Sequence, residues 1–215
     1  MTPRITMLLL PLAVLAVSRL GADVSVRLLP MHIAWIPAFV VYYLAIEASV
    51  FWVRRAVPGA SGGLSFSSGA RPAARRVIFG AVLPGLLPLG FFVLNVSLVP
   101  AAVLGAIVVF AAINSYFEEV FWRGLLAHLP APDPVKILYS GALFAFSHWF
   151  FTGAYWLSRP RVLIPVVITT FVMGVAWMWF YLRERSLVYT IVSHFVVDVL
   201  NLSVAMFMGL RLRTV

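Results

Sequence analysis

Charged and histidine side chains lie inside three apolar stretches of the sequence, where such residues are rare. The first stretch carries EEVFWR at residues 118–123, the second carries a lone histidine, His148, and the third carries HFVVD at residues 194–198. A charge at the centre of a bilayer costs at least about 2.5–3.5 kcal/mol, so these residues usually face the protein interior, pair with one another and mark function. The three stretches are therefore candidates for one polar site inside a membrane protein.

The depth of these residues predicts that they meet. Counted from the cytoplasmic ends of their predicted spans, Glu118 lies about ten residues deep, His194 about eight, Asp198 about twelve and His148 about thirteen. At about 1.5 Å per helical residue, all four lie roughly 12–20 Å below the surface. His194 and Asp198 are also four residues apart and share one helix face. We expect Glu118, His148 and His194 to line one buried polar cavity that is open to the cytoplasmic side.

This set of carboxylates and imidazoles suits two kinds of hydrolysis. In the first, the side chains bind a metal such as zinc, which activates a water molecule. In the second, no metal is needed: Glu118 is the general base, and His, Asn or Asp groups stabilise the oxyanion. The chain has no cysteine, which excludes a thiol nucleophile and a thiolate metal site. Both mechanisms end with water attacking a carbonyl carbon, and the residues alone leave the choice open.

The composition indicates which elements carry these residues. Hydrophobic residues make up 63% of the 215-residue chain and charged residues 11%, against about half and a quarter in soluble domains. Because a spanning helix needs about 20 mostly apolar residues, the sequence predicts an all-α, polytopic transmembrane helix bundle of about seven spans. The spans are roughly 5–22, 33–53, 77–97, 101–126, 135–152, 162–182 and 186–210. The third contains PGLLPLG and is expected to be kinked.

Charge and linker composition predict the organisation in the membrane. We expect residues 1–215 to form a single integral membrane domain, with a cytoplasmic Gly-, Ser- and Arg-rich linker at residues 56–76. With that linker inside, nine Arg and Lys residues are cytoplasmic and six are external, which favours a cytoplasmic N-terminus. The net charge of +9 is expected to contact the anionic headgroups of the lipid bilayer, and nucleic acid is not an expected partner. Residues 4–17 resemble a signal peptide without a clear cleavage signal, so we expect an uncleaved first helix.

Together, the three stretches resemble the CAAX protease and bacteriocin-processing family of intramembrane endopeptidases, which includes the type 2 CAAX prenyl proteases and the lysostaphin-resistance-like proteins. The family pattern is EExxxR, then FxxxH, then HxxxN or HxxxD. The chain has EEVFWR (118–123), FAFSH (144–148) and HFVVD (194–198) in that order. The resemblance covers about residues 80–205, which would form the catalytic core.

The resemblance implies an intramembrane, metalloprotease-like endopeptidase that hydrolyses a peptide bond of a membrane-associated protein or peptide. Glu118 would be the general base, helped by His148, while His194 and Asp198 would bind metal or stabilise the transition state. A divalent metal, expected to be zinc, would be held by Glu118, His148, His194 and Asp198. A metal-free glutamate mechanism is the alternative.

The resemblance also implies roles for the remaining charged pair. Glu119 and Arg123 would complete the site as an ion pair, one helical turn apart, that orients its helix. The third motif has Asp198 where many relatives have Asn, which suits a metal ligand better and an oxyanion donor worse. The expected location is a bacterial-type cell membrane.

Two other classes of protein stay open. Buried Glu, His and Asp residues on neighbouring helices also suit a small proton- or ion-coupled transporter, although the sequence lacks the matched broken helices that many transporters show. A non-enzymatic membrane immunity or scaffold protein would keep the motifs without turnover. Peptide hydrolysis separates a protease from both, and ion flux identifies a transporter.

Overall fold

The computed structural model describes residues 3–56, 72–150, 160–210 and 212, and every regular element in these ranges is helical. The predicted all-α fold class is confirmed. The helices in these ranges are α1 (Pro3–Leu28), α2 (Met31–Ala56), α3 (Ala74–Leu98), α4 (Ala101–Glu119), α5 (Asp133–Phe150), α6 (Pro160–Glu184), α7 (Leu187–Leu200) and α8 (Ser203–Phe207). Residues 57–71, most of the predicted linker, lie outside the described residues.

Five helices of the described ranges are long and apolar enough to cross a membrane: α1, α2, α3, α4 with its continuation, and α6. The chain is therefore an integral, multi-pass membrane protein. The two other predicted spans correspond to α5 and α7, which are not among these five. Helix α7 has 14 residues, so it is about 21 Å long, shorter than the roughly 30 Å hydrocarbon core.

The last predicted span, residues 186–210, is not one continuous helix, so this boundary is wrong. Helix α7 ends at Leu200, and α8 begins at Ser203. Between them Leu202 has a φ of 55°, in the left-handed region that interrupts a right-handed helix. The Ser203 hydroxyl also donates to the backbone carbonyl of Asp198, at 3.2 Å, a local bond of the kind that competes with helix continuation.

The predicted kink in the third span is confirmed in α3. A π-helical turn covers Ile78–Val82, and the helix is interrupted at Leu87 and Pro88 before it resumes at Leu89. Pro84 and Pro88 lack the backbone N–H that a regular helix needs, and their rings clash with the preceding turn. The distortion leaves the carbonyl of Ala81 available to the Ser193 hydroxyl of α7, at 2.6 Å, which joins α3 to α7.

Helix α4 changes geometry directly after its two glutamates. It continues as a π-helix over Val120–Leu125 and a 3₁₀ turn over Leu126–His128. All six residues of the π-helix are buried. Single π-turns inside helices are frequently found at functional sites. This turn sets the direction in which Glu119 and Arg123 face each other.

Helices α5 and α6 approach closely through two glycines. A Cβ atom on Gly174 would lie 2.9 Å from the Cα of Gly141 and 3.2 Å from the Phe144 ring. Small residues at a crossing allow two membrane helices to pack backbone to backbone. The crossing brings Phe144 of α5 beside Trp177 of α6, with ring centroids 6.0 Å apart, and both rings then form part of the site.

Candidate active site

The glutamates of α4 and the polar pair of α7 meet in the buried interior. The Nδ1 atom of His194 lies 2.8 Å from Glu119 Oε1. On the other side of the ring, Nε2 lies 3.5 Å from Glu118 Oε2 and 3.7 Å from Asp198 Oδ2. All four residues are buried. The structure therefore brings three of the six predicted site residues within ion-pair distance of the imidazole ring of a fourth, His194.

Arg123 forms the predicted pair with Glu119. Its Nη1 lies 3.0 Å from Glu119 Oε1, and both side chains are fully buried. The guanidinium also lies over two aromatic faces, 4.4 Å from the Phe144 ring centroid and 4.8 Å from that of Trp177. Cation–π contacts of this kind are worth about 2 kcal/mol or more when the charge is desolvated. Arg123 is therefore a buried structural cation that neutralises Glu119.

The orientation of His194 follows from its neighbours. Its ring stacks on Trp177 with the centroids 4.8 Å apart and the planes at 24°, while Phe144 approaches edge-on at 5.7 Å. Glu119, paired with Arg123, is a carboxylate that accepts hydrogen bonds, so Nδ1 of His194 is the donor in their 2.8 Å contact. The second ring nitrogen, Nε2, then faces Glu118 and Asp198.

His148 approaches the same space from the last turn of α5. Its Nδ1 lies 2.9 Å from the backbone carbonyl of Phe144, and a carbonyl oxygen only accepts, so Nδ1 carries the proton. His148 lines one cavity with Glu118, His194 and Asp198. The convergence of these helices on one cavity was predicted from sequence depth.

The cavity itself differs from the prediction. It has a volume of about 270 Å³ and its walls are mainly apolar, including Phe39, Phe91, Phe110, Met173 and Phe207. The expectation of a polar cavity is therefore wrong, because the ionisable groups occupy only one part of the wall. A largely apolar pocket with a few convergent polar groups is the usual form of a small-molecule or peptide side-chain site.

The end of the helix bundle that the cavity reaches can be compared with the predicted membrane topology. Its lining includes the last turn of α5 at Ser147 and the first turns of α6 at Pro165 and Thr169, so it extends toward the end of the bundle where α5 ends and α6 begins. With the N-terminus in the cytoplasm and each earlier helix crossing once, that end faces away from the cytoplasm. The expected cytoplasmic opening therefore disagrees with the predicted topology.

Three polar residues of the site were missed by the sequence analysis. Asn114 donates from Nδ2 to Asp198 Oδ2 at 2.8 Å, and Tyr43 donates from its hydroxyl to Asn114 Oδ1 at 3.1 Å. The Tyr42 side chain hydrogen-bonds to Glu118. The sequence spacing could have identified Asn114, because it precedes Glu118 by four residues and lies on the same helix face. The tyrosines of α2 lie in no motif, and only tertiary packing identifies them.

The carboxylate and imidazole groups of the site are potential ligands for a metal ion. The described residues contain no group of three or more His, Asp or Glu side chains placed to hold one. The nitrogen His194 Nδ1 is engaged by Glu119, which leaves Nε2 for the cavity. The expected zinc ligation by Glu118, His148, His194 and Asp198 stays a prediction.

The fold and the site define a multi-pass helical membrane protein with a buried cluster of carboxylates, imidazoles and one guanidinium. Residues 100–200 match the family described as Type II CAAX prenyl endopeptidase Rce1-like. This is the family that the three motifs resemble, and the matched segment contains all six predicted site residues. It indicates a membrane protease. No curated protein and no solved structure matches the chain.

Proposed function

We propose that the protein is an intramembrane endopeptidase that hydrolyses a peptide bond of a membrane-associated protein or peptide, of the CAAX type or the bacteriocin-processing type. The observation that carries the proposal is the environment of the Glu118 carboxylate. Its Oε2 atom is buried, has no hydrogen-bond partner in the described part of the chain, and faces His194 Nε2 at 3.5 Å. Glu119 Oε2 also lacks a partner there, but of the two glutamates Glu118 is the one that lines the cavity. A buried carboxylate oxygen without a donor is costly, and a water molecule held for attack would supply one.

The hydrolytic step follows from these groups. Glu118 takes a proton from the water molecule while the oxygen of that water bonds to the scissile carbonyl carbon. This step gives a tetrahedral oxyanion. His194, fixed through Nδ1 by Glu119, presents Nε2 toward this centre and stabilises the developing charge when protonated. The C–N bond then breaks, and the proton held by Glu118 passes to the leaving amine. His148 helps to orient the water from the cavity wall.

Glu119 and Arg123 have a supporting role in this proposal. Glu119 Oε1 lies 2.8 Å from His194 Nδ1 and 3.0 Å from Arg123 Nη1, so one oxygen connects the histidine to the buried cation. A carboxylate behind a histidine fixes the ring's tautomer and direction. The pair keeps His194 aimed at Glu118 and Asp198.

The apolar cavity supports a substrate with a hydrophobic part. A volume of about 270 Å³ lined by aromatic and aliphatic side chains takes bulky apolar side chains or a section of hydrocarbon and keeps bulk water away from the reacting groups. A substrate that already sits in the bilayer reaches such a cavity without crossing bulk water. We therefore propose substrates that are themselves membrane-associated.

The experiment compares purified protein in detergent or nanodiscs with its Glu118→Gln variant. The substrates are quenched fluorescent peptides ending in Cys-aliphatic-aliphatic-X, with and without a farnesyl group on the cysteine, and peptides with a bacteriocin-type leader. We expect wild-type protein to cleave at least one class and Glu118→Gln to lose about 10²–10⁴-fold in kcat, the usual contribution of a general base.

The matched control is Glu47→Gln, because Glu47 is exposed on α2 and is absent from the cavity lining. It should keep full activity. Cleavage that is equal in Glu118→Gln and Glu47→Gln would contradict the proposed base. Absence of cleavage together with ion flux in liposomes would support the transporter instead.

A further inference from the structure

A series of side-chain hydrogen bonds connects three helices at the site: α2, α4 and α7. The hydroxyl of Tyr43 on α2 donates to Asn114 Oδ1 on α4 at 3.1 Å, and Asn114 Nδ2 donates to Asp198 Oδ2 on α7 at 2.8 Å. Asn114 is 5% exposed and Asp198 is 6% exposed. Tyr43 is itself held by stacking on Phe117, with centroids 4.8 Å apart and planes at 16°.

The direction of each bond in this series is fixed by chemistry. An amide has one acceptor end and one donor end. Since the Tyr43 hydroxyl engages the oxygen of Asn114, the nitrogen is turned toward Asp198. The partner oxygen, Asp198 Oδ2, is the same atom that lies 3.7 Å from His194 Nε2.

The second oxygen of Asp198 has a weaker partner. The Ser203 hydroxyl lies 3.4 Å from Oδ1 and 2.5 Å from Asn201 Oδ1. Asn114 therefore supplies the shorter hydrogen bond to this carboxylate. A second carboxylate lies close by, because Glu118 Oε2 faces the same His194 nitrogen at 3.5 Å. The carboxylates of Glu118 and Asp198 repel each other because both lie near one imidazole. The hydrogen bond from Asn114 holds the Asp198 carboxylate in place and so fixes its position relative to His194 Nε2.

We propose that Asn114 is a positioning residue of the site, which holds Asp198 Oδ2 toward His194 Nε2, and that Tyr43 sets the direction of the Asn114 amide. This inference rests on the proposed function only in the kinetic test, which requires peptide cleavage. Removing the donor frees the Asp198 carboxylate to rotate and removes a charge-assisted hydrogen bond from a buried group.

The test uses Asn114→Leu, which removes both amide groups at similar volume, and Tyr43→Phe, which removes one oxygen and keeps the ring on Phe117. The matched control is Asn95→Leu. Asn95 is also fully buried, and its Nδ2 donates to the Phe91 carbonyl at 2.9 Å, but it is not part of the cavity lining.

The kinetic readout separates positioning from general stability. We expect Asn114→Leu to lower kcat on the cleaved peptide by roughly 10–100-fold, the range for a lost hydrogen bond to a charged group, with KM unchanged. Tyr43→Phe should show the same pattern with a smaller loss of kcat. Asn95→Leu should lower thermal stability and leave kcat unchanged.

A second readout does not require activity. The chain has four histidines, so a sample labelled with ¹⁵N only at histidine gives few ring signals by NMR. The His194 signals should move in Asn114→Leu and Tyr43→Phe and stay in place in Asn95→Leu.

The outcomes separate this inference from the proposed function. If wild-type protein cleaves none of the peptides, the proposed function fails, while the His194 signals still test the role of Asn114. If Asn114→Leu does not fold, Tyr43→Phe provides the same comparison. Unchanged kcat and unchanged His194 signals in these variants would overturn the inference.

Discussion

Replacing Glu119 by glutamine keeps the shape of the side chain and removes its negative charge. The charge lies between two partners, Arg123 Nη1 at 3.0 Å and His194 Nδ1 at 2.8 Å, in a region that the solvent does not reach. Glu119→Gln therefore leaves the Arg123 guanidinium buried between Phe144 and Trp177 without its counter-ion. The variant is expected to lose more stability than any other single charge change at the site.

The size of the loss follows from the geometry. At a separation of 3.0 Å and an effective dielectric constant of about 20, the Coulomb energy of the pair is about 5.5 kcal/mol. Removing one partner of a buried pair costs about 3–5 kcal/mol, and the two aromatic faces keep part of the interaction with the cation. A loss of 3–5 kcal/mol corresponds to a decrease in Tm of roughly 6–20 °C for a chain of this length, at about 2–4 °C per kcal/mol.

The assay is thermal unfolding of purified protein in one detergent, with Asp23→Asn as the matched control. Asp23 also pairs with an arginine four residues away, Arg19, at 2.9 Å, but its side chain is 39% exposed. Exposed pairs contribute about 0–1 kcal/mol, so Asp23→Asn should hardly change Tm. Equal decreases in Tm for Glu119→Gln and Asp23→Asn would refute the argument from burial. Peptide turnover should also fall in Glu119→Gln, by less than in Glu118→Gln.

Three further predictions follow from the structure and the sequence. Gly174→Ala should lower stability by about 1–3 kcal/mol, the usual cost of overpacking, because its Cβ would lie 2.9 Å from the Gly141 backbone, whereas Gly90→Ala, with nothing within 4 Å, should not. If the expected zinc is bound, metal analysis of purified protein should detect it and Asp198→Asn should lower its affinity about 10-fold or more; full activity of Asp198→Asn in excess chelator would support the metal-free glutamate mechanism. Because the chain has no cysteine, a single cysteine in the linker at residues 56–76 should resist a membrane-impermeant maleimide in intact cells, and labelling there would reverse the predicted topology.

Local patterns in the sequence were enough to predict the class of fold and most of the site. Twenty-residue apolar segments have few soluble alternatives, so the helical membrane bundle follows from composition. Charges inside these segments are expensive enough to be functional, which is why EEVFWR and HFVVD could be selected without a structure. Pro84 and Pro88 also predicted the break in α3, since their effect on a helix is local and covalent.

Tertiary structure decided the features that depend on neighbours distant along the chain. The histidine that shares Glu119 with Arg123 belongs to a helix 75 residues away, and no spacing rule predicts which of two adjacent glutamates it contacts. The apolar walls of the cavity were unpredictable for the same reason, because every helix of this chain is rich in apolar residues and only packing chooses which ones face inward. The end of α7 at Leu200 depends on the Leu202 backbone and on Ser203, whose hydroxyl reaches back to Asp198.

The sequence by itself determined the kind of molecule and the residues with unusual chemistry, because hydrophobicity and the cost of burying charge are properties of each residue and its near neighbours. Only the tertiary structure decided which charges are paired and which of the two glutamates lines the cavity. Arg123 is neutralised by Glu119, while Glu118 lines the cavity and its Oε2 faces the imidazole of His194. That difference between two adjacent glutamates arises because the side chains point in different directions from one helix, toward different neighbours.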